Sequence, residues 1–337
     1  MTGGGRESPA WHCRLGALLF AALLLAVPAQ AETIAVGPNR VVKLPSDALK
    51  TADDGDIIAI DPGEYYDCLR VRTSGITVEG TGPGVVLTDT TCDGKAIIVA
   101  GADRLVLRNL VLQRARVADG NGAGIRAEGG SITIDKVQFL NNQAGLIAAS
   151  LPDATILIRD SRFDGSGTCD GPRCAATISV NHLARLRIER SLITGTRGAH
   201  QIVSGAAATE IVGSRIEDGP KGSASFQLIM PDGGGLLLDG NTFQKGPHAT
   251  NLRAAILLDG SFPTTPIIRR NTFLNDTTRP VPFILNWSDN GPVLDTNTIT
   301  PPGRDIASDG YLTNRATTLL RDAKQAARGV VRGVLGR

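Results

Sequence analysis

Three short stretches, Ile132-Thr133-Ile134-Asp135, Ile156-Leu157-Ile158-Arg159 and Leu186-Arg187-Ile188-Glu189, decide the reading of this chain. In each, apolar side chains occupy alternate positions and mostly polar ones stand between them, the period-two pattern of a strand with one buried face. The pattern recurs along the chain at Leu107, Ile134, Ile158, Ile188, Ile211, Leu238, Ile268 and Leu294. A companion series runs through Ile97, Ile125, Leu146, Ile178, Ile202, Leu228, Ile256 and Ile284, at steps of 21 to 32 residues. Five residues after each member of the first series comes another large apolar residue: Leu112, Phe139, Phe163, Ile193, Ile216, Phe243, Phe273 and Ile299. A unit that repeats at this length and cannot bury its own apolar face must stack on its neighbours. The expectation is an all-β solenoid of roughly nine or ten coils, with strands of successive coils about 4.8 Å apart.

Small polar residues mark one corner of each coil. Ser161, Ser191, Ser214, Asn241, Asn271 and Asn297 lie two residues before the third apolar series. Ser and Asn side chains at a turn hydrogen-bond nearby backbone, so this column is expected to tie each coil to the next.

The first 31 residues read as a secretory signal. Arg6 and Arg14 precede an apolar run from Leu15 to Val27, and Ala29-Gln30-Ala31 supplies small residues for cleavage. No stretch is long enough to span a bilayer as a helix. The 35 basic and 33 acidic side chains are nearly balanced, which argues against a nucleic-acid partner. Cys13 falls in the signal, leaving Cys68, Cys92, Cys169 and Cys174, an even number suited to an oxidising compartment, periplasmic or secreted. Three pairings are open in principle. Cys68 and Cys92 are about one coil apart, which favours Cys68–Cys92 together with Cys169–Cys174.

The organisation read from these features is a signal at 1–31, an N-terminal segment at 32–55 with a capping helix over Pro45–Ala52, a solenoid at 56–302, and a C-terminal tail at 303–337. From Arg315 to Arg337 the tail holds six basic residues against Asp322 alone. Leu319, Leu320, Ala323, Ala327, Val330, Val331 and Val334 stand there at helical spacing, so an amphipathic helix or a cap is expected.

The segment from Gly55-Asp56-Ile57-Ile58-Ala59-Ile60 to Gly63-Glu64-Tyr65 resembles the opening coil of the pectate-lyase-like superfamily of right-handed parallel β-helices, and the repeats carry the likeness to about Thr300. Asp119-Gly120-Asn121-Gly122-Ala123-Gly124-Ile125-Arg126, Pro231-Asp232-Gly233-Gly234 and Gln244-Lys245-Gly246-Pro247 resemble a bacterial exported group within it. The resemblance implies a right-handed parallel β-helix, a polysaccharide partner, and work done on the outward face of one sheet. It also implies that His and Tyr in the segment that here reads Ala176-Thr177-Ile178-Ser179, Lys and Arg after His200, and Asp at Ile229 have been lost. One superfold hosts lyases, hydrolases, epimerases and binders, so activity must be argued from the site.

The outward positions of the companion series are read as Ile98, Arg126, Ile147, Ser179, Val203, Ile229, Leu257 and Leu285, an unusually apolar face. Such a stripe is expected to be covered by loops, by the tail or by a second copy, as in a homodimer. Its carboxylates Glu128 and Asp259 are five coils apart, about 24 Å, too far to act as a glycosidase pair. Arg126 and His200 are the candidates for lyase-like chemistry, one as charge-neutralising cation and one as base. Thr177, Gln201 and Gln227, with Asn181 and Asp232 nearby, are read as an outward polar patch that could bind sugar hydroxyls. No cofactor or metal is expected, because Glu128 alone falls far short of a calcium site. Arg108, Asp135, Arg159 and Glu189, at one position in successive coils, are read as a structural charge ladder.

Overall fold

The computed structural model describes residues 1–5, 31–170, 172 and 174–307. The run expected to be a signal, Leu15 to Val27, and the segment from Arg315 expected to form an amphipathic helix or cap lie outside the described residues. From Thr33 to Ala307 the chain winds through three parallel sheets of 11, 10 and 10 strands. One complete coil shows the plan. Ile76–Gly80 lies in the first sheet, Val85–Thr88 in the second and Ala96–Ala100 in the third, and Arg104–Arg108 returns to the first beside Ile76–Gly80. Every neighbour in each sheet comes from the adjacent coil. This is the parallel β-helix anticipated from the repeat.

The three apolar series line the inside. Leu107, Ile134, Ile158, Ile188, Ile211, Leu238 and Ile268 are fully buried in the first sheet, and Leu112, Phe139, Phe163, Ile193, Ile216, Phe243 and Phe273 in the second. Phe139 and Phe163 stack at 4.1 Å with their rings 3° apart, so the interior is a column of like side chains set one coil above another.

At the corner between the first and second sheets, one residue per coil takes a left-handed backbone: Lys136, Asp160, Arg190, Gly213, Gly240, Arg270 and Thr296. After Lys136 comes Val137, and from Asp160 onward the next residue is the Ser/Asn column, whose ladder forms as expected. The Ser161 N–H donates to Ser191 Oγ at 3.1 Å, Ser191 to Ser214 Oγ at 3.1 Å, Ser214 to Asn241 Oδ1 at 2.8 Å, Asn241 to Asn271 Oδ1 at 2.9 Å and Asn271 to Asn297 Oδ1 at 3.0 Å. The turn frees a backbone donor in each coil, and a side chain of the following coil accepts it.

Both expected disulfides are present. Cys68–Cys92 joins neighbouring coils with Cα atoms 5.5 Å apart, and Cys169–Cys174 closes a short loop. Two details at the amino end differ from expectation. A strand, Thr33–Val36, pairs with Ile57–Ile60 and opens the first sheet, and the helix is a single turn, Pro45–Ala48, with Pro45 and Ala48 buried against the end coil. The pattern that extended the helix to Ala52 continues only as turns, Leu49 to Thr51. Among the described residues no helix is long and apolar enough to cross a membrane.

The charge ladder on the first sheet is also observed. Glu79, Arg108, Asp135, Arg159 and Glu189 are in register on successive strands, with Arg108–Glu79 at 3.6 Å and Arg159–Asp135 at 2.8 Å.

Candidate functional site

The outer face of the third sheet is the surface that could hold an extended ligand. Its central column, fixed by strand register, reads Arg70, Val99, Arg126, Ile147, Ser179, Val203, Ile229, Leu257, Leu285 and Ala307. Val99, not Ile98, belongs to it. Ile98 pairs with Ile125 and is buried in the interior, and Ile97 pairs opposite Gly124, one residue earlier. The apolar run Ala96-Ile97-Ile98-Val99 fits either phase of alternation, which is why spacing alone misplaced it by one.

That register error has a counterpart among the expected ligand-binding residues. Thr177, Gln201 and Gln227 occupy the position of Ile97, Gly124 and Gly145, immediately before the strand. There the chain is still turning the corner from the second sheet, and the side chain points inward. A Cβ at Gly124 would lie 2.6 Å from the Phe139 ring, and one at Gly145 2.5 Å from the Phe163 ring. Thr177, Gln201 and Gln227 are accordingly fully buried, and the outward polar patch does not exist. The Thr177 hydroxyl donates to the Ser166 carbonyl at 2.6 Å. Gln201 Nε2 donates to the Glu217 carbonyl at 2.6 Å, and Gln227 Nε2 to Asp218 Oδ1 at 3.1 Å. These groups satisfy backbone at the corner rather than facing solvent.

The same corner encloses a constellation that the sequence reading did not single out. Lys245 is fully buried, donates to the Ser225 carbonyl, and stands 3.5 Å from Gln227 Oε1. Asp218, also fully buried, accepts from the Gly246 N–H at 2.8 Å, the Ala224 N–H at 3.2 Å and Gln227. Burial holds the Lys245 ammonium down at about 8, against the pull of Asp218, and raises the Asp218 carboxyl above its ordinary range. The signal was present in Thr242-Phe243-Gln244-Lys245: alternation places Lys245 on the inward side with Phe243.

His200 sits at the lip of this corner, half-buried, its ring 5.8 Å from that of Phe226. Burial, followed by the nearby Lys245 charge, lowers its pKa, and its Nδ1 is buried with no hydrogen-bond partner. Arg126 lies three coils away, about 14 Å, so the two expected catalytic residues are not brought together. Asn181 and Asp232 flank Gly205 at the opposite edge of the sheet, on the coils either side of it. The Asp232 carboxylate lies 3.4 Å, and the Asn181 backbone carbonyl 3.5 Å, from where a Cβ on Gly205 would stand, and both residues are exposed.

The face therefore divides into two halves. Its first half is charged: Arg70 binds Asp93 at 2.8 Å, Lys95 binds Glu128 at 2.7 Å, and Arg126 Nε stands 3.6 Å from Glu128, buried and without a hydrogen-bond partner. The second half is aliphatic, with Val203, Ile229 and Leu257 half-buried, and Phe226, Ala254, Leu285, Trp287 and Ala307 packed around it. Among the described residues no group of three or more His, Cys, Asp or Glu side chains is placed to hold a metal ion.

Three sheets wound in one fixed order identify the architecture. It is a parallel β-helix. Solved structures similar to this chain include the A-module of a mannuronan C-5 epimerase from Azotobacter vinelandii, 13% identical over 79% of this chain and 92% of that one, with a TM-score of 0.43. A pectin methylesterase from Yersinia enterocolitica is 12% identical over 79% and 94%, with a TM-score of 0.37. One from Aspergillus niger is 11% identical over 85% and 88%, with a TM-score of 0.34. No protein-family model and no curated protein sequence matches the chain.

Proposed function

We propose that this chain is an exported β-helix that binds an acidic polysaccharide on the charged half of the third sheet's outer face. The observation that carries the reading is Arg126. Its guanidinium projects from the middle of that face with a buried Nε left without an acceptor, beside Lys95, while Glu128 is held by Lys95. A guanidinium presents a planar fork of donors matched to a carboxylate, so a sugar acid is the ligand chemistry that completes it.

Binding without turnover is favoured by the separation of Arg126 from His200 and by the five coils between Glu128 and Asp259. The test is affinity electrophoresis in gels containing polygalacturonate, alginate or a neutral glucan, with unsaturated and reducing ends followed in parallel. Retardation is expected in the acidic gels only. It should weaken with salt and fall at least tenfold in Arg126→Ala. Equal retardation in neutral glucan, or an unchanged Arg126→Ala, would overturn the proposal. Turnover abolished by His200→Ala would replace it with the enzymatic reading.

A further inference from the structure

The closed corner beside His200 brings together an amine, an amide and a carboxyl group, the parts of an amide exchange. Lys245, Gln227 and Asp218 are all fully buried. Lys245 ends the second-sheet strand Thr242–Lys245, and Gln227 stands just before the third-sheet strand Leu228–Met230 of the preceding coil. Lys245 Nζ lies 3.5 Å from Gln227 Oε1, so the amine faces the amide carbonyl. On the other side of that amide, Nε2 donates to Asp218 Oδ1 at 3.1 Å. The carboxylate is otherwise held by the Gly246 and Ala224 N–H groups, while Lys245 turns to the Ser225 carbonyl and to Gln227. The Phe226 ring, 5.7 Å from Nζ, forms part of the wall.

We propose that Lys245 and Gln227 join in an isopeptide bond that stitches two successive coils, with Asp218 carrying the proton. An ammonium ion has no lone pair to attack with, but burial holds Lys245 down at about 8, so the free amine is populated near neutral pH. The Nζ lone pair attacks Cδ of Gln227, and the carbonyl electrons move onto Oε1. Nζ then shares that carbon with Nε2, which brings it to the same carboxylate. Asp218 takes a proton from Nζ and gives it to Nε2, which has lost its amide conjugation. The Cδ–Nε2 bond breaks, the carbonyl reforms and ammonia leaves. One amide replaces another, so the step needs no oxidant and no co-reactant. Two groups held about 3.5 Å apart react as parts of one molecule, and burial keeps out the water that would compete for the carbonyl. The bond closes a loop of sequence separation 18. It links neighbouring coils as Cys68–Cys92 does nearer the amino end, but through a bond that reduction does not open.

The full chain tests this by mass spectrometry. Purified in the cold at about pH 6, where the amine is almost wholly protonated, it starts with Lys245 free, and it is then held at about pH 8. The expected product is lighter by about 17 Da, the mass of the ammonia released. Trypsin acting on the denatured product should fail to cut after Lys245, leaving a peptide of residues 222–253 that carries the same loss. Chymotryptic cleavage after Leu236 should leave the two parts of that peptide joined. Asp218→Asn, with an unchanged circular dichroism spectrum, should slow the conversion at least tenfold, and an equal rate would overturn the part given to Asp218. The wild-type result decides the matter even where that variant fails to fold. A chain that keeps its full mass and is cut after Lys245 would overturn the proposal. So would a loss of ammonia located elsewhere in the chain, or a gain of about 1 Da at Gln227, which would show that water rather than Lys245 reaches the amide.

Discussion

Replacing the buried Lys245 and Asp218 together, as Lys245→Met with Asp218→Asn, removes a charge-bearing pair while keeping the volume of the corner. The double change is needed because removing Lys245 alone leaves the Asp218 carboxylate buried without its cation, a loss of the kind that costs about 3–5 kcal/mol. Lys245 titrates at about 8 in the folded chain, down from 10.5. Between those values the unfolded chain binds the proton and the folded chain does not, so stability rises with pH across the window. The free energy that goes with so large a depression is about 3 kcal/mol. Below pH 8 the cost of carrying the buried ammonium is fully present. Urea unfolding of wild type and double variant at pH 7.5 and pH 10.5 measures it: the wild type should gain about 3 kcal/mol relative to the variant over that interval. Parallel stabilities at the two pH values would refute the argument, showing that Lys245 either remains solvated or keeps its ordinary pKa.

The polar corner ladder and the inter-coil disulfide give two further tests. Asn271→Ala removes the acceptor of the buried Asn241 N–H and the bond from Nδ2 to the Leu238 carbonyl at 3.0 Å, and should cost about 2–4 kcal/mol in chemical denaturation. A loss within experimental error would mean that water replaces the side chain. Cys68→Ser/Cys92→Ser opens a bridge of sequence separation 24 and should destabilise by about 3.5 kcal/mol, against about 2 kcal/mol for opening the separation-5 bridge Cys169–Cys174. The reverse order would show that chain entropy is not what these bridges contribute.

The sequence by itself determined the solenoid, because each coil repeats the same local requirements. Alternation at Ile132-Thr133-Ile134 sets which side of a strand is buried, the Ser and Asn column supplies one acceptor per corner, and Cys68 and Cys92 are one coil apart. All of these are short-range patterns whose consequences add up by stacking. The candidate site was less legible. Arg126 was found because alternation holds through the middle of its strand. Thr177, Gln201 and Gln227 were placed outside because alternation was carried one residue past the strand, into a corner where the backbone turns and the parity reverses. Lys245 and Asp218 were passed over because a charged residue is ordinarily solvated, and what keeps them inside is the loop from Asp218 to Phe226, which closes the corner around them. Which polar residues meet depends on how each loop leaves and re-enters the stack. Loop lengths in this chain differ from coil to coil, so only the tertiary structure decides that.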